Sequence, residues 1–489
     1  MKKIKEHKKD LILFFIVFLV SIVMCGAFLQ PHYTHDTYKI IYDGYEFYSY
    51  DKFLKEARPF TAIITLIANK ISLPIEIYMI ISFVLALIFL SISVLMVYKL
   101  FIKQFTNNSK LKDIVVLIIS FITIFNYLAI EHILYLECSI LALGILLSVI
   151  AAKVIISNEK YAHVKALIII IIAVFCYQGS IAIFPMLVLM DKLLFKTNKV
   201  KNDFIEVIKI ILIYGIAMLL TILFAEFVMG GSRITMNPSS IDISNIITWV
   251  KELAINSLGV ILPYIHILLI SLTIIFIEIF DKSDIKGKNI YVLKYLFVIL
   301  ASIVICMAPI VVGSGLSLTP RMCIAYGTTI GISLFIMMYI ADRNNKKYQV
   351  ILVSSITIIF FILNVTLYIV LTNQHILTNK LDEKDCKNIQ KIIEEYEAKT
   401  NKEITKMVAV CRPDKNLYYP NIIHAGAITQ KALNSWANKQ AICFYLQKKY
   451  EFVPITLEQY ISFWGGKSWN QFSEEQVVIK DDILYFCAY

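Results

Sequence analysis

The chain has 489 residues, of which 58% are hydrophobic and only 17% charged, and a mean hydropathy of +0.71. That leaves too little polar surface to cover a soluble globule of this size, so the composition excludes one and points to a polytopic α-helical membrane protein. A net charge of +11 would favour nucleic acid in a soluble protein, but here the basic residues fall in short clusters between apolar runs, which membrane topology explains without nucleic acid.

The chain opens with MKKIKEHKKD and continues into an apolar run over 11–29. The layout resembles a signal peptide, and Cys25 invites a lipoprotein reading. No A-x-A site follows, however, and Val23 and Met24 rather than small residues precede Cys25, so the segment is predicted to be an uncleaved first span. Further spans are predicted at 75–102, 114–131, 133–156, 205–228, 255–280, 290–312, 321–341 and 350–371. The stretch 166–196 is too long for one untilted span. A break at Cys176 to Gly179 divides it into two short legs, with Tyr177, Gln178 and Ser180 at a polar apex. Counting both legs predicts about 11 transmembrane helices, an odd number that puts the two termini on opposite sides.

Basic residues cluster at 2–9, 103–112, 160–165, 192–201, 282–288 and 343–347, whereas the short connections on the other side carry almost none beyond Arg233 and Lys251, with Arg321 at the edge of a span. The positive-inside rule therefore predicts a cytoplasmic N-terminus and places the first loop, 30–74, outside. That loop begins QPHYTHDTYKIIYDGYEFYSYDKFLKEARP. Its tyrosines suit the headgroup level, and residues 59–72 are too short to cross, so they are expected to form a helix along the outer interface.

After residue 371 the composition becomes charged. Segments with helical pattern at 373–404 and 429–450, and strand-like ITKMVAVC, VVI and ILYFC, predict a soluble α+β domain over 372–489 on the outer face, beyond a transmembrane domain of 1–371. It holds Cys386, Cys411, Cys443 and Cys487, which permit two disulfides in three connectivities; free buried cysteines are the alternative, and the spacing has no metal-site pattern.

Several residues on the predicted outer side can carry chemistry. Asp36, beside His35, could act as general base toward a hydroxyl, although a lone loop aspartate is also a common turn residue. His35 with Asp36 is too few ligands for a metal, and a divalent ion has only this weak support. Glu137, expected about one turn inside a span, should face a polar cavity or snorkel to the interface with Glu131 and His132. Tyr177 and Gln178 mark non-helical backbone at membrane depth, which needs protein or water around it. Arg321, directly after Pro320, could hold a lipid-linked phosphate through paired charge-assisted hydrogen bonds and stabilise it as it leaves; anchoring to bulk headgroups is the alternative. Arg58 and Arg233 are weaker candidates for the same role.

In order along the chain come a first span, an outer loop with an acidic residue, an Arg58-Pro59 step into a short apolar helix, a Tyr177-Gln178 break and a Pro320-Arg321 step at a late span. This order resembles the Gtr family of bacterial membrane glucosyltransferases, within the GT-C-fold class of multi-span glycosyltransferases. The resemblance covers about residues 11–371. It implies that Asp36 is the catalytic loop acid, that Glu137 stands where the family often has an aspartate, and that Tyr177, Gln178 and Arg321 belong to the site. The sequence departs in having His35-Asp36 rather than two adjacent acids, and Ala57 in place of a glycine. The resemblance further implies a bacterial cytoplasmic-membrane enzyme taking hexose from a polyprenyl-phosphate donor to a surface glycan such as O-antigen or a wall polymer. A donor of that kind would be made by a separate transferase and presented by a flippase. No Gly-rich nucleotide loop follows a strand. A flippase or transporter of lipid-linked sugars, whose discontinuous helices line transport sites, and a glycan polymerase or ligase are the alternative functions.

Overall fold

The computed structural model describes residues 2–105, 109–195, 200–230, 243–312, 318–412 and 417–489. Among them eight helices are long and apolar enough to cross a membrane, or nine if Lys110–Ile124 and Tyr127–Ile133, bent by 63° at a short break, form one span. The apolar helices Ala162–Cys176 and Ile265–Phe280 make up the difference from the expected 11. At 15 and 16 residues and about 1.5 Å per residue they fall short of a hydrocarbon core of about 30 Å.

Packing inside the bundle relies on small residues, as expected where lipid supplies no hydrophobic drive between helices. Helix Ile324–Asn344 is buried along nearly its whole length. A Cβ added at its Gly331 would lie 2.0 Å from Thr123 Oγ1, so the two backbones approach to a distance only glycine permits. On the outside, Ile211, Leu212, Ile359 and Ile362 are exposed, the side chains a bilayer would cover. One end of the bundle is tied by ion pairs between helix termini, Lys9 with Asp113 at 2.9 Å, Lys99 with Asp10 at 2.5 Å, and Lys112 with Asp342. We call this the distal end.

At the opposite end a single helix, Lys347–Thr400, runs without Gly or Pro from its apolar first half through residue 372 into charged sequence. The change in composition at 372 is thus not a structural break. Helix and sheet share one core there: Cys386, Ile389 and Ile393 pack on Met407, Leu484 and Phe486. The sheet has four strands, β1 (Lys406–Val410), β2 (Glu451–Phe452), β3 (Val477–Lys480) and β4 (Ile483–Cys487), in the order β2-β1-β4-β3. Strand β1 is parallel to both neighbours, and β3 and β4 form an antiparallel hairpin. Its turn residues Asp481 and Asp482 have φ of 53° and 59°, as a two-residue hairpin of this hand needs. The predicted strands are present. Of the helical pattern over 429–450, only Asn438–Leu446 is α-helix.

None of the nine cysteines is in a disulfide, so those allowed by Cys386, Cys411, Cys443 and Cys487 do not form. Three of the four lie buried and behave as small core residues.

Candidate functional site

The first loop folds into helix His35–Asp43, a short turn of helix Tyr45–Tyr48, a wider turn Ser49–Leu54 and helix Pro59–Lys70. Thr34 starts the first of these through a capping box with Thr37, and Pro59 starts the last at the position where a missing N–H costs nothing. Helix His35–Asp43 lies between bundle and domain because its two faces bury different residues. Tyr38 enters the domain core and donates or accepts a hydrogen bond with the Tyr445 hydroxyl at 2.6 Å; Ile40 enters a second cluster with Tyr48, Met79 and Leu136. Asp36, four residues before Ile40, is thereby turned toward the bundle and is 8% exposed.

The Asp36 carboxylate is held on one oxygen. Lys52 Nζ lies 2.5 Å from Oδ1, the Tyr48 hydroxyl donates to the same atom at 2.8 Å, and Lys52 also donates to that hydroxyl at 2.6 Å. Burial works against the ionised acid, but Lys52, Tyr48 and the charge of Arg321 outweigh it and hold the carboxyl well below the usual aspartate range. Burial lowers the pKa of the neighbouring His35, against the pull of Asp36, so its imidazole is neutral and packs edge-on to Trp436 at 6.3 Å.

The arginines sit beside this pair. Arg58 is the residue before helix Pro59–Lys70 and its side chain makes no capping hydrogen bond; its guanidinium lies 3.1 Å from Glu56, 3.7 Å from Glu137 and 4.8 Å over the Tyr177 ring. Arg321 is 3.8 Å from Glu131 and 4.3 Å over the Tyr135 ring. Glu137 is the residue before helix Cys138–Ile156, not one turn inside it, because the chain turns in short helical steps from Tyr127 before that helix begins. The Tyr177-Gln178 break is present as predicted, between helices Ala162–Cys176 and Ile183–Leu189. Gln178 Nε2 donates to the Glu56 carbonyl at 2.8 Å, which ties the break to the loop. Arg233 lies outside the described residues.

Thus Asp36, His35, Arg58, Glu137, Tyr177, Gln178 and Arg321 gather at the domain end. Lys52, Tyr48, Glu56, Glu131 and Tyr135 join them; the sequence reading singles out none of these as site residues, and Glu131, which it names only in the interfacial alternative for Glu137, is fully buried. Among the described residues, Arg58 Nε, Glu137 Oε2, Glu131 Oε1 and His35 Nε2 are buried without a hydrogen-bond partner. Orphaned buried polar atoms are rare, and four around one spot fit a polar ligand there. Two guanidiniums close enough to repel each other stand among carboxylates, so the site offers both cationic donors and anionic acceptors to a polar ligand. Among the described residues no group of three or more His, Cys, Asp or Glu is placed to hold a metal ion. Comparison with family models, curated proteins and solved structures finds no match for this chain.

Proposed function

We propose that the protein is a membrane glycosyltransferase of GT-C type that moves a hexose from a polyprenyl-phosphate donor to a surface glycan. The observation that carries this reading is the buried loop carboxylate Asp36, paired with Lys52 and within the field of Arg321, in a spot where Arg58 and Arg321 pair with Glu137 and Glu131 and several polar atoms are orphaned. In the reaction Asp36 takes the proton of an acceptor hydroxyl, whose oxygen forms a bond to the anomeric carbon. The bond from that carbon to the lipid phosphate breaks, and the phosphate leaves with the electron pair toward Arg321 and Arg58. Ala57 lends support: where the Gtr family has glycine, this residue adopts φ 55°, which glycine takes without strain.

The test is transfer of radiolabelled hexose from polyprenyl phosphate to glycan by the purified protein in detergent. Asp36→Asn is expected to cut transfer by about a hundredfold or more while expression and membrane insertion stay normal. Unchanged transfer would remove Asp36 from the mechanism.

A transport reading is favoured by one observation, the two broken helices at Phe125–Asn126 and Tyr177 that meet near the site. Detergent abolishes the membrane barrier, so a transporter would give no product in the same assay and would instead move lipid-linked sugar across liposomes.

A further inference from the structure

At the distal end a cavity of about 470 Å³ opens between the helical turn Met190–Phe195, the connection 281–283 and helices Ile285–Val312 and Ile324–Asn344. It is remote from the Asp36 site. Arg321 lies just before the first residue of helix Ile324–Asn344, whereas Arg343 and Asn344 at its other end line the cavity. A helix of 21 residues separates them by about 30 Å, the thickness of a hydrocarbon core.

The lining is cationic. Lys282, Lys294 and Arg343 face it with one carboxylate, Asp281, which already accepts from the Ser283 N–H at 3.0 Å. Lys294 is fixed to the wall by Asp203 at 2.7 Å. Among the described residues Lys282 and Arg343 form no ion pair, and Arg343 lies 5.7 Å over the Tyr339 ring. The Tyr291 hydroxyl, also in the lining, is buried without a hydrogen-bond partner. A buried hydroxyl donor next to unpaired cations is the complement of a phosphate oxygen. The rim decides between a soluble and a lipid phosphate. Ile290 lines the cavity yet is 40% exposed, and Leu293 beside it is 64% exposed, so the opening continues onto an apolar flank of the bundle.

We propose that this cavity binds the phosphate headgroup of a membrane lipid, with the lipid chains running along Ile290 and Leu293. Basic pockets between transmembrane helices hold anionic headgroups in this way, and the volume is in the range of small-molecule sites. The site is independent of the transfer reaction proposed above.

The test is native mass spectrometry of the full chain in detergent with four probes: phosphatidylglycerol, a polyprenyl phosphate, diacylglycerol and inorganic phosphate. The two phospholipid-type probes are expected to bind and diacylglycerol is not. Lys282→Gln with Arg343→Gln should weaken the bound lipid by about tenfold or more. Tyr291→Phe, which alters no charge, should weaken it by roughly threefold and keeps the test open if the double variant does not fold. A preference between the two lipids identifies the source of the headgroup. Equal binding of diacylglycerol, binding that the variants leave unchanged, or inorganic phosphate bound as tightly as the lipids would each overturn the proposal.

Discussion

Lys52 and Asp36 form a nearly buried ion pair, 2.5 Å between amine and carboxylate, and they lie on the third and the first helical piece of the same loop. A carboxylate so held is ionised but a weak base. Under the proposed function, an arriving donor phosphate would compete for Lys52 and free the Asp36 oxygen for the acceptor hydroxyl, which would couple donor binding to base activation through one side chain. Lys52→Gln removes the main group that lowers the Asp36 pKa. The base must be deprotonated, so the acid limb of the pH–rate profile should move to higher pH, by about one unit or more. Transfer kinetics from pH 4 to 8 check this: the parent, whose limb lies below that range, should stay level at the acid end while the variant falls, and a variant as level as the parent would show that Asp36 does not set the limb.

Gly179 is where the Tyr177 break touches the Arg321 turn. A Cβ there would lie 2.6 Å from the Tyr177 ring and 2.8 Å from the Arg321 carbonyl oxygen, and the second contact is backbone that cannot swing aside. Gly179→Ala should cost about 1–3 kcal/mol and displace Arg321, lowering transfer as well as the melting temperature. Gly215→Ala is the control, since nothing lies within 4 Å of its Cβ. Thermal melting and transfer rates of the two variants should separate clearly.

Ala57 reports on backbone strain beside Arg58. In the left-handed region a Cβ costs roughly 1 kcal/mol or more, while glycine adds about as much entropy to the unfolded chain. Ala57→Gly is therefore expected to fold within about 1 kcal/mol of the parent, and Ala57→Val to be less stable by at least as much again. Melting curves order the three chains; a valine variant as stable as the parent would mean that the loop does not hold this conformation.

Much of the site was legible before the structure because punctuation marks it. Pro59 and Pro320 start helical turns, and the polar apex at Tyr177 interrupts an apolar run, so the backbone events around Arg58, Arg321 and Gln178 leave a trace in the sequence. Pairings leave none. Arg321 meets Glu131 across 190 positions, and nothing local in either segment announces it. A span read over 114–131 puts Glu131 at its end, where the interface is one of two open placements; the chain leaves the helix at Phe125, with Asn126 capping the next turn through the Leu128 N–H at 3.1 Å, and carries Glu131 inward. The boundary at residue 372 misleads for a different reason. Composition changes there, but a helix needs only compatible residues, and pairs such as Lys387 with Glu383 at 2.6 Å support it in water.

Asp382, well beyond the apolar half of that long helix, makes the junction with the domain sensitive to pH. It is fully buried, accepts from the Tyr419 hydroxyl at 2.9 Å and the Ala432 N–H at 3.1 Å, and burial pushes its pKa up to about 7 against those hydrogen bonds. Around it stand Asp385, whose carboxyl burial also raises, the phenols Tyr419, Tyr445 and Tyr489, and Lys431, which burial lowers to about 8. A carboxyl raised in the folded state contributes stability that is fully present below its unfolded value of about 3.9 and is lost as pH rises through about 7. Lys431 acts in the opposite sense and only above that window: the stability linked to its lowered pKa is present above its unfolded value and lost as pH falls through about 8. The melting temperature of the full chain in detergent should thus decline between pH 4.5 and 7.5, by an amount that corresponds to a few kcal/mol at most. Asp382→Asn cannot ionise and should remove the larger part of that decline, leaving the share of Asp385. Scanning fluorimetry across the pH range decides it, because a slope that persists undiminished in the asparagine variant would place the titrating group elsewhere.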